Sequence, residues 1–308
     1  MHLARLGSLK GTGDGKRLIE NQCKTNELTM TLLFTPTFIA PYLPISKKFI
    51  EYQGESFDIC KKNVDEAIAK VKDSDDSVIA KIVRKCGKDS SIPKIMGNDA
   101  LQAGIDTTGS TAAFLLYHLA ANNDKQERLF QEISDTIGPE GTVTEAALNK
   151  MKYMKACQTE SQRILPAVFG TVRRAEEGLV IGGYEIPKKT TVLPCGSMSS
   201  NDPANFPNPD KFLPERWLRG SPQRHDANSF ANIPFWPWSK VNRSYSLSDN
   251  LFYPRSCIGQ RFAKLKLYMM MVKIVQRYRM EYKGEEVGTL TELISKPDKP
   301  INIKFIER

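Results

Sequence analysis

Pro254-Arg255-Ser256-Cys257-Ile258-Gly259-Gln260-Arg261-Phe262-Ala263 is the stretch on which the reading of this chain turns. A cysteine stands just before a strongly apolar segment, Ile258 to Met280, whose pattern predicts a helix. The positive end of a helix dipole favours a negative charge, so a thiol there is biased toward thiolate. Gly259, two residues on, lets a flat ligand approach the backbone. A thiolate on a loop before an apolar helix can serve as an axial ligand to haem iron. A buried, inert cysteine fits the same local pattern, so the stretch has to be read with the rest of the chain.

Three further patterns lie upstream. Phe212-Leu213-Pro214-Glu215-Arg216-Trp217 closes an irregular stretch, Asn201 to Pro214, that holds Pro203, Pro207, Pro209 and Pro214. Such a stretch needs side-chain anchors, and Arg216, with its planar guanidinium, suits a bidentate carboxylate partner. A solvated surface turn is the plain alternative. Glu160-Ser161-Gln162-Arg163 places an acid and a base three apart on one helix face, a common pair worth little by itself. Arg216 could dock onto that pair. Ala103-Gly104-Ile105-Asp106-Thr107-Thr108 lies inside a long apolar helix predicted from Asn98 to Ala121. Thr side chains there are expected to bond back to the preceding turn and open the helix locally, leaving a groove for a small ligand and a water. A helix kink with solvated polar residues fits as well.

Between and around these motifs the texture is mostly helical. Ser46 to Val83 reads as one amphipathic helix, Asp124 to Ile137 as a second stopped by Gly138-Pro139, and Thr144 to Leu165 as a third closed by Pro166. Leu179 to Val192 reads as a hairpin turning on Gly182-Gly183, and Ile301 to Phe305 alternates like a strand. Leu32 to Ile45 is the most apolar stretch, but Pro36, Pro41 and Pro44 forbid a continuous helix. It is expected as a buried connector or as a membrane-dipping surface loop. The whole is expected as one compact body.

Composition narrows the function. The 308 residues carry 44 Lys+Arg against 35 Asp+Glu, a net charge of +9, with 40% hydrophobic residues, which suits a globular protein with an ample core. The six cysteines form no CxxC pair, which argues against a disulfide framework and a zinc ribbon. Three histidines exclude a His-rich metal site. The basic residues are dispersed and no nucleic-acid motif accompanies them, so no nucleic-acid partner is expected. An acidic protein partner fits the charge better.

In this order the four motifs together resemble the cytochromes P-450, the haem-thiolate monooxygenases, and the resemblance runs from about Arg5 to Arg308. The Lys150, Lys152, Lys155 cluster, the strand at Gly170 to Arg174 and the Gly-Gly-Tyr turn look most like the mitochondrial branch of animal members. The resemblance implies a mainly α fold, a helical bundle with small β-sheets. It implies haem (iron protoporphyrin IX) as cofactor and Cys257 as the proximal thiolate and metal ligand, with Gly259 beside it. Arg255 and Arg173 would reach haem propionates. Asp106 and Thr107 would be the catalytic proton relay, and Glu160, Arg163 and Arg216 a structural salt-bridge cluster. Implied partners are a ferredoxin-type donor, or a reductase, meeting a basic face at Lys150, Lys152, Lys155, Arg277 and Arg279, and an apolar substrate, steroid-like or xenobiotic. The implied location is the mitochondrial inner membrane, peripherally, with the endoplasmic reticulum membrane as the alternative.

Two departures from the family pattern stand out. The family places a Phe seven residues before the Cys and a Gly four before it; here those positions are Asn250 and Tyr253. The expected Phe occurs as Phe235, 22 residues upstream of Cys257, so 15 residues are extra and lie within 236–253. That segment reads as an unspliced intron or a gene-model error, and a tyrosine in place of the glycine would lower haem affinity. The chain is also shorter than a complete member by roughly 150–200 residues. Residues 1–308 are therefore expected to be a single partial domain lacking the N-terminal part of the fold. The alternative function is a non-catalytic fragment that binds no haem.

Overall fold

A computed structural model describes residues 13–72, 74–224, 231–232, 257–291 and 294–308. The chain divides into two compact units, residues 1–109 with 292–294, and residues 110–291 with 295–308.

The first unit is helical. Helix α1 (Gly13–Leu33) packs on α2 (Pro44–Ala69), followed by α3 (Val78–Cys86) and the first part of α4 (Ser91–Ala121). Arg17 and Asn21 of α1 both donate to the Glu55 carboxylate of α2, Asn21 at 2.7 Å. A small apolar cluster of Val64, Ile68 and Val83 joins α2 to α3, with Leu101 packed against it. Gly97 permits the close approach of α4 to α2, because a Cβ there would lie 2.9 Å from Val64 Cγ1.

Ser46 to Val83 is not one helix. It breaks after Ala69, and α3 restarts at Val78 with Ser77 as N-cap, its hydroxyl accepting from Ala80 N at 3.2 Å. Asp75 accepts in turn from Ser77 N at 3.0 Å. Short polar side chains that bond the local backbone compete with the helix ladder, and here they win. The connector of Leu32 to Ile45 is not buried either. It carries a 3₁₀ turn at Ala40–Tyr42 and leaves Phe34 and Phe38 75% exposed and Tyr42 84% exposed. The prolines explain this: the chain turns outward instead of laying an apolar helical face on the core.

The second unit holds the main core, where Leu115 and Leu119 of α4 meet Leu129 and Ile133 of α5 (Asn123–Ile137), Met154 and Cys157 of α7 (Lys152–Ile164), and Met271, Val272 and Val275 of α9 (Gln260–Arg277). Thr144 to Leu165 divides into α6 (Glu145–Lys150) and α7 at Met151. The break has a tertiary cause: Glu132 of α5 accepts from Tyr153 N at 2.7 Å and Met154 N at 2.8 Å, capping α7 from a neighbouring helix.

Among the described residues the β-structure consists of four two-stranded antiparallel pairs. Strand β2 (Leu179–Ile181) pairs with β3 (Tyr184–Ile186) around Gly182 and Gly183, both at positive φ (58° and 84°), as a tight hairpin demands. Thr191–Val192 is not part of that hairpin; as β4 it pairs with β1 (Arg173–Arg174). Helix α9 ends at Arg277, earlier than predicted, and the chain continues as β5 (Tyr278–Glu281), which pairs with β8 (Lys304–Glu307). The C-terminal strand thus begins at Lys304, later than the alternation indicated. A short helix α8 (Gly196–Ser200) and the pair β6 (Thr289–Leu290) and β7 (Lys296–Pro297) complete the unit.

Candidate active site

The best-defined polar assembly of the second unit is built on α7. Its helical turn puts Glu160 and Arg163 side by side, both fully buried, in a bidentate pair: Arg163 Nη2 donates to Oε1 and Nε to Oε2, each at 3.0 Å. Arg216, on the 3₁₀ turn Pro214–Trp217, donates through Nε to Oε1 at 3.0 Å. Trp217 Nε1 donates to Oε2 at 2.7 Å and Leu213 N to Oε1 at 3.1 Å. Five donors therefore converge on one carboxylate.

The outward ends of the two guanidinium groups collect main-chain carbonyls of the proline-rich stretch and of Ser200 just before it. Arg163 donates to Ser200 O and Pro209 O, and Arg216 to Pro207 O and Asn208 O. An irregular segment with few ladder bonds is thus satisfied from one buried cluster. The sequence pointed to Glu160, Arg163 and Arg216. It missed Trp217 and Leu213, although both stand beside Arg216 or Pro214 in the same motif.

His118 of α4 lies close by, with Nδ1 3.0 Å from Ser161 Oγ and its ring stacked on Phe212 at 4.9 Å. Burial, reinforced by the nearby Arg163 charge, pushes its pKa down to about 3. It is neutral at physiological pH, held by Ser161 and by a hydrogen bond to the Phe114 backbone.

Cys257 is exposed and not disulfide-bonded, and its carbonyl accepts from Gln260 N at 3.2 Å as α9 begins. Gly259 is the N-cap at φ −82°, an ordinary backbone angle. A Cβ on Gly259 would meet only Cys257 Sγ, at 3.9 Å. Neither backbone strain nor packing among the described residues requires a glycine there. Arg255 and the segment 236–253 lie outside the described residues. Arg173 sits on β1 opposite Val192, half-buried, with Nη1 donating to Val172 O at 3.3 Å.

Asp106 and Thr107 belong to the first unit. Thr107 does bond back, to Ala103 O at 2.7 Å, but α4 runs unbroken from Ser91 to Ala121, so the expected local opening is absent. The hydroxyl adds a bond to a helix carbonyl without displacing the ladder. Asp106 Oδ2 accepts from Asn26 Nδ2 of α1 at 2.5 Å, a partner 80 residues away that sequence reading did not find.

Of the lysines flagged for a partner, Lys150 and Lys152 are exposed at the α6–α7 junction, and Lys155 donates to Asn149 O. Arg277 and Arg279 are each paired with a glutamate, Glu307 and Glu281. Lys264 of α9 has its pKa lowered by burial and by the Lys155 charge.

The profile of the Cytochrome P450 family matches residues 19–235 and 254–305, most of the chain. This chain belongs to the cytochrome P450 family. The two matched stretches leave out 236–253, the segment to which the motif spacing assigned the extra residues.

Among P450 relatives, CYP12A2 of Musca domestica is 32% identical over 307 residues, covering 95% of this chain and 56% of its own. A probable cytochrome P450 12a5, mitochondrial, of Drosophila melanogaster is 31% identical, covering 86% and 50%. The human 25-hydroxyvitamin D-1 alpha hydroxylase, mitochondrial, is 32% identical over 220 residues, covering 70% and 40%. The chain spans about half the length of the curated relatives it matches. The fold is shared with a retinoic acid-bound cyanobacterial CYP120A1, with TM-score 0.73, 21% identity and coverage of 94% of this chain and 63% of the other.

Haem is the cofactor of this P450 family, held through a single cysteine. The donor set fits. No group of three or more His, Cys, Asp or Glu that could hold a bare metal ion occurs among the described residues. A metal carried in a porphyrin needs one protein sulfur, and Cys257 offers it at the surface, next to an Ile258 that is 92% exposed.

Proposed function

We propose that this chain belongs to a haem-dependent monooxygenase that inserts one oxygen atom of O₂ into an apolar small molecule, steroid-like or xenobiotic. The observation that carries the reading is Cys257, an exposed, unbridged thiol at the start of α9 in a chain whose other motifs follow the family order. Bound haem would supply the redox-active iron at which O₂ is activated. Cys257 Sγ would hold that iron, Gly259 would keep the backbone clear, and Arg173 with Arg255 would neutralise the propionates. Asp106 and Thr107 would hold and pass protons. The Thr107 hydroxyl hydrogen is engaged at Ala103 O, so its oxygen acts as acceptor, while Asn26 fixes the Asp106 carboxylate in one orientation.

Electrons would come from a ferredoxin-type partner, steered by Lys150, Lys152 and Lys155 together with Lys264. The mitochondrial names of two relatives favour that compartment, with peripheral attachment to the inner membrane. Exposed Phe34, Phe38 and Tyr42, followed by exposed Lys47 and Lys48, support the membrane contact: apolar rings to enter the interface and cations to meet anionic headgroups. No described helix is long and apolar enough to cross a membrane.

A second reading has its own observation. The residues skipped by the family profile end four positions before Cys257, and a chain that translates them would bind haem poorly or not at all. One experiment separates the two. The chain is loaded with haem, reduced and exposed to carbon monoxide. A red-shifted Soret band that vanishes in Cys257→Ala supports the enzyme; its absence removes catalysis from this chain. Transcript sequencing across codons 236–253 is expected to show the segment missing from mature mRNA.

A further inference from the structure

We propose that Asn26 is a positioning residue for the proton relay, and that it makes the relay depend on the seating of helix α1. This role rests on the monooxygenase reading, which makes Asp106 and Thr107 the relay. All three residues lie in the first unit.

The two relay groups are held by different means. The Thr107 hydroxyl donates to Ala103 O at 2.7 Å, one turn back in its own helix, so this bond travels with α4. Asp106 Oδ2 instead accepts from Asn26 Nδ2 at 2.5 Å, and Asn26 belongs to α1, 80 residues away. Asn26 is 2% exposed, and burial strengthens a hydrogen bond by keeping water from competing for it. Unseating α1 would take this donor from Oδ2 and leave the Thr107 bond intact.

The sequence of α1 explains why its seating can be lost. Its buried residues are Leu18, Asn21, Thr25 and Asn26, one apolar side chain against three polar ones. None of them belongs to the apolar cluster of Val64, Ile68 and Val83 that joins α2 to α3. Polar contacts fasten the helix instead: Arg17 and Asn21 to Glu55, Lys62 to Asp14 at 3.5 Å, and Asn26 to Asp106. The Arg17–Glu55 and Lys62–Asp14 pairs are exposed, where such pairs contribute little. Past Leu33 the chain turns outward through exposed Phe34, Phe38 and Tyr42, which add no apolar anchor to the unit. Elements with so few buried apolar contacts open locally more readily than a packed core.

The residue type also fits the role. An amide carries both a donor and an acceptor. It can hold Asp106 as a carboxylate through Nδ2 or, turned over, as an acid through Oδ1. A lysine or arginine would hold only the anion. Asn26 thus orients a group that has to gain and lose a proton, without fixing its charge.

The test uses the whole chain and two readouts. The first needs no haem. In native-state hydrogen exchange, α1 amides should exchange faster than those of α4 around Asp106. Asn26→Leu should speed α1 exchange by a further factor of about ten, the weight of one hydrogen bond to a charged group. Asp106→Ala removes the same bond from the other side and should speed α1 equally, so it decides if Asn26→Leu fails to fold. The two changes together should do no more than either alone. The second readout is the rate at which the reduced, haem-loaded chain is reoxidised by O₂, in H₂O and in D₂O. Asn26→Leu should slow it by about tenfold and raise the solvent isotope effect, as Asp106→Ala does, and Asn26→Gln should restore part of the rate. On an Asp106→Ala background Asn26→Leu should change nothing further. A chain that gives no red-shifted carbon monoxide band fails the monooxygenase reading, and the exchange readout then decides alone whether Asn26 holds α1. Unchanged α1 exchange in Asn26→Leu overturns the proposal. So does a slowing of reoxidation by Asn26→Leu that persists on the Asp106→Ala background.

Discussion

Replacing Glu160 by glutamine keeps the shape of the side chain and removes one negative charge from a fully buried cluster. In the native chain that carboxylate stands against two guanidinium groups and also accepts from Leu213 N and Trp217 Nε1. The glutamine oxygen can keep the contacts made to Oε1. Its NH₂ then faces Arg163 Nε and Trp217 Nε1, both donors, so two hydrogen bonds turn into donor–donor conflicts. Two buried arginines are also left without a counter-charge. Removing one partner of a buried ion pair costs about 3–5 kcal/mol, and this substitution falls at the upper end of that range. With a urea m-value of about 2 kcal/mol per molar, the unfolding midpoint should drop by about 2 M. The assay is urea unfolding of the chain followed by far-UV circular dichroism. Glu20→Gln is the control, since its pair with Lys16 is exposed on both sides at 3.8 Å, and it should shift stability by at most about 0.5 kcal/mol. A loss below about 1 kcal/mol for Glu160→Gln would refute the view that this cluster holds the proline-rich stretch in place.

Three more outcomes follow from the geometry. His118, neutral and buried with a pKa of about 3, binds a proton more readily when unfolded. Stability is therefore fully present above about pH 6.5 and falls by about 1.4 kcal/mol per unit below it, down to about pH 3; His118→Gln should flatten that slope in pH-dependent melts. Gln126 donates to Leu119 O and Met280 O, each at 2.9 Å, and accepts from Met280 N at 2.8 Å, so Gln126→Leu should cost about 2–4 kcal/mol in the same urea assay. Phe38→Asp, at a 75% exposed site, should leave the melt unchanged and lower partitioning onto anionic vesicles by about tenfold or more, as measured by co-sedimentation.

Much of the fold was legible because its signals are local. The long apolar helix around Asp106, the helix stopped by Gly138, and the Gly182-Gly183 turn each carry their cause within a few residues: an apolar repeat, a glycine at positive φ, a pair of left-handed residues. The four motifs were legible in the same way, as short strings whose order marks the family. Even the extra residues before Cys257 were countable from spacing alone.

What the sequence by itself determined is therefore the mainly helical class, several of the elements and the family, while α1 (Gly13–Leu33) had no counterpart in the reading of the sequence. The tertiary structure decided where elements end and which groups meet. The break at Met151 needed the Glu132 carboxylate from another helix. Asn26 meets Asp106 across 80 residues, and Glu160 gathers donors from 53 to 57 residues away. The physical reason is the same in each case. A buried polar group must be satisfied by whatever the fold brings within hydrogen-bond reach, and separation along the chain carries no record of that partner.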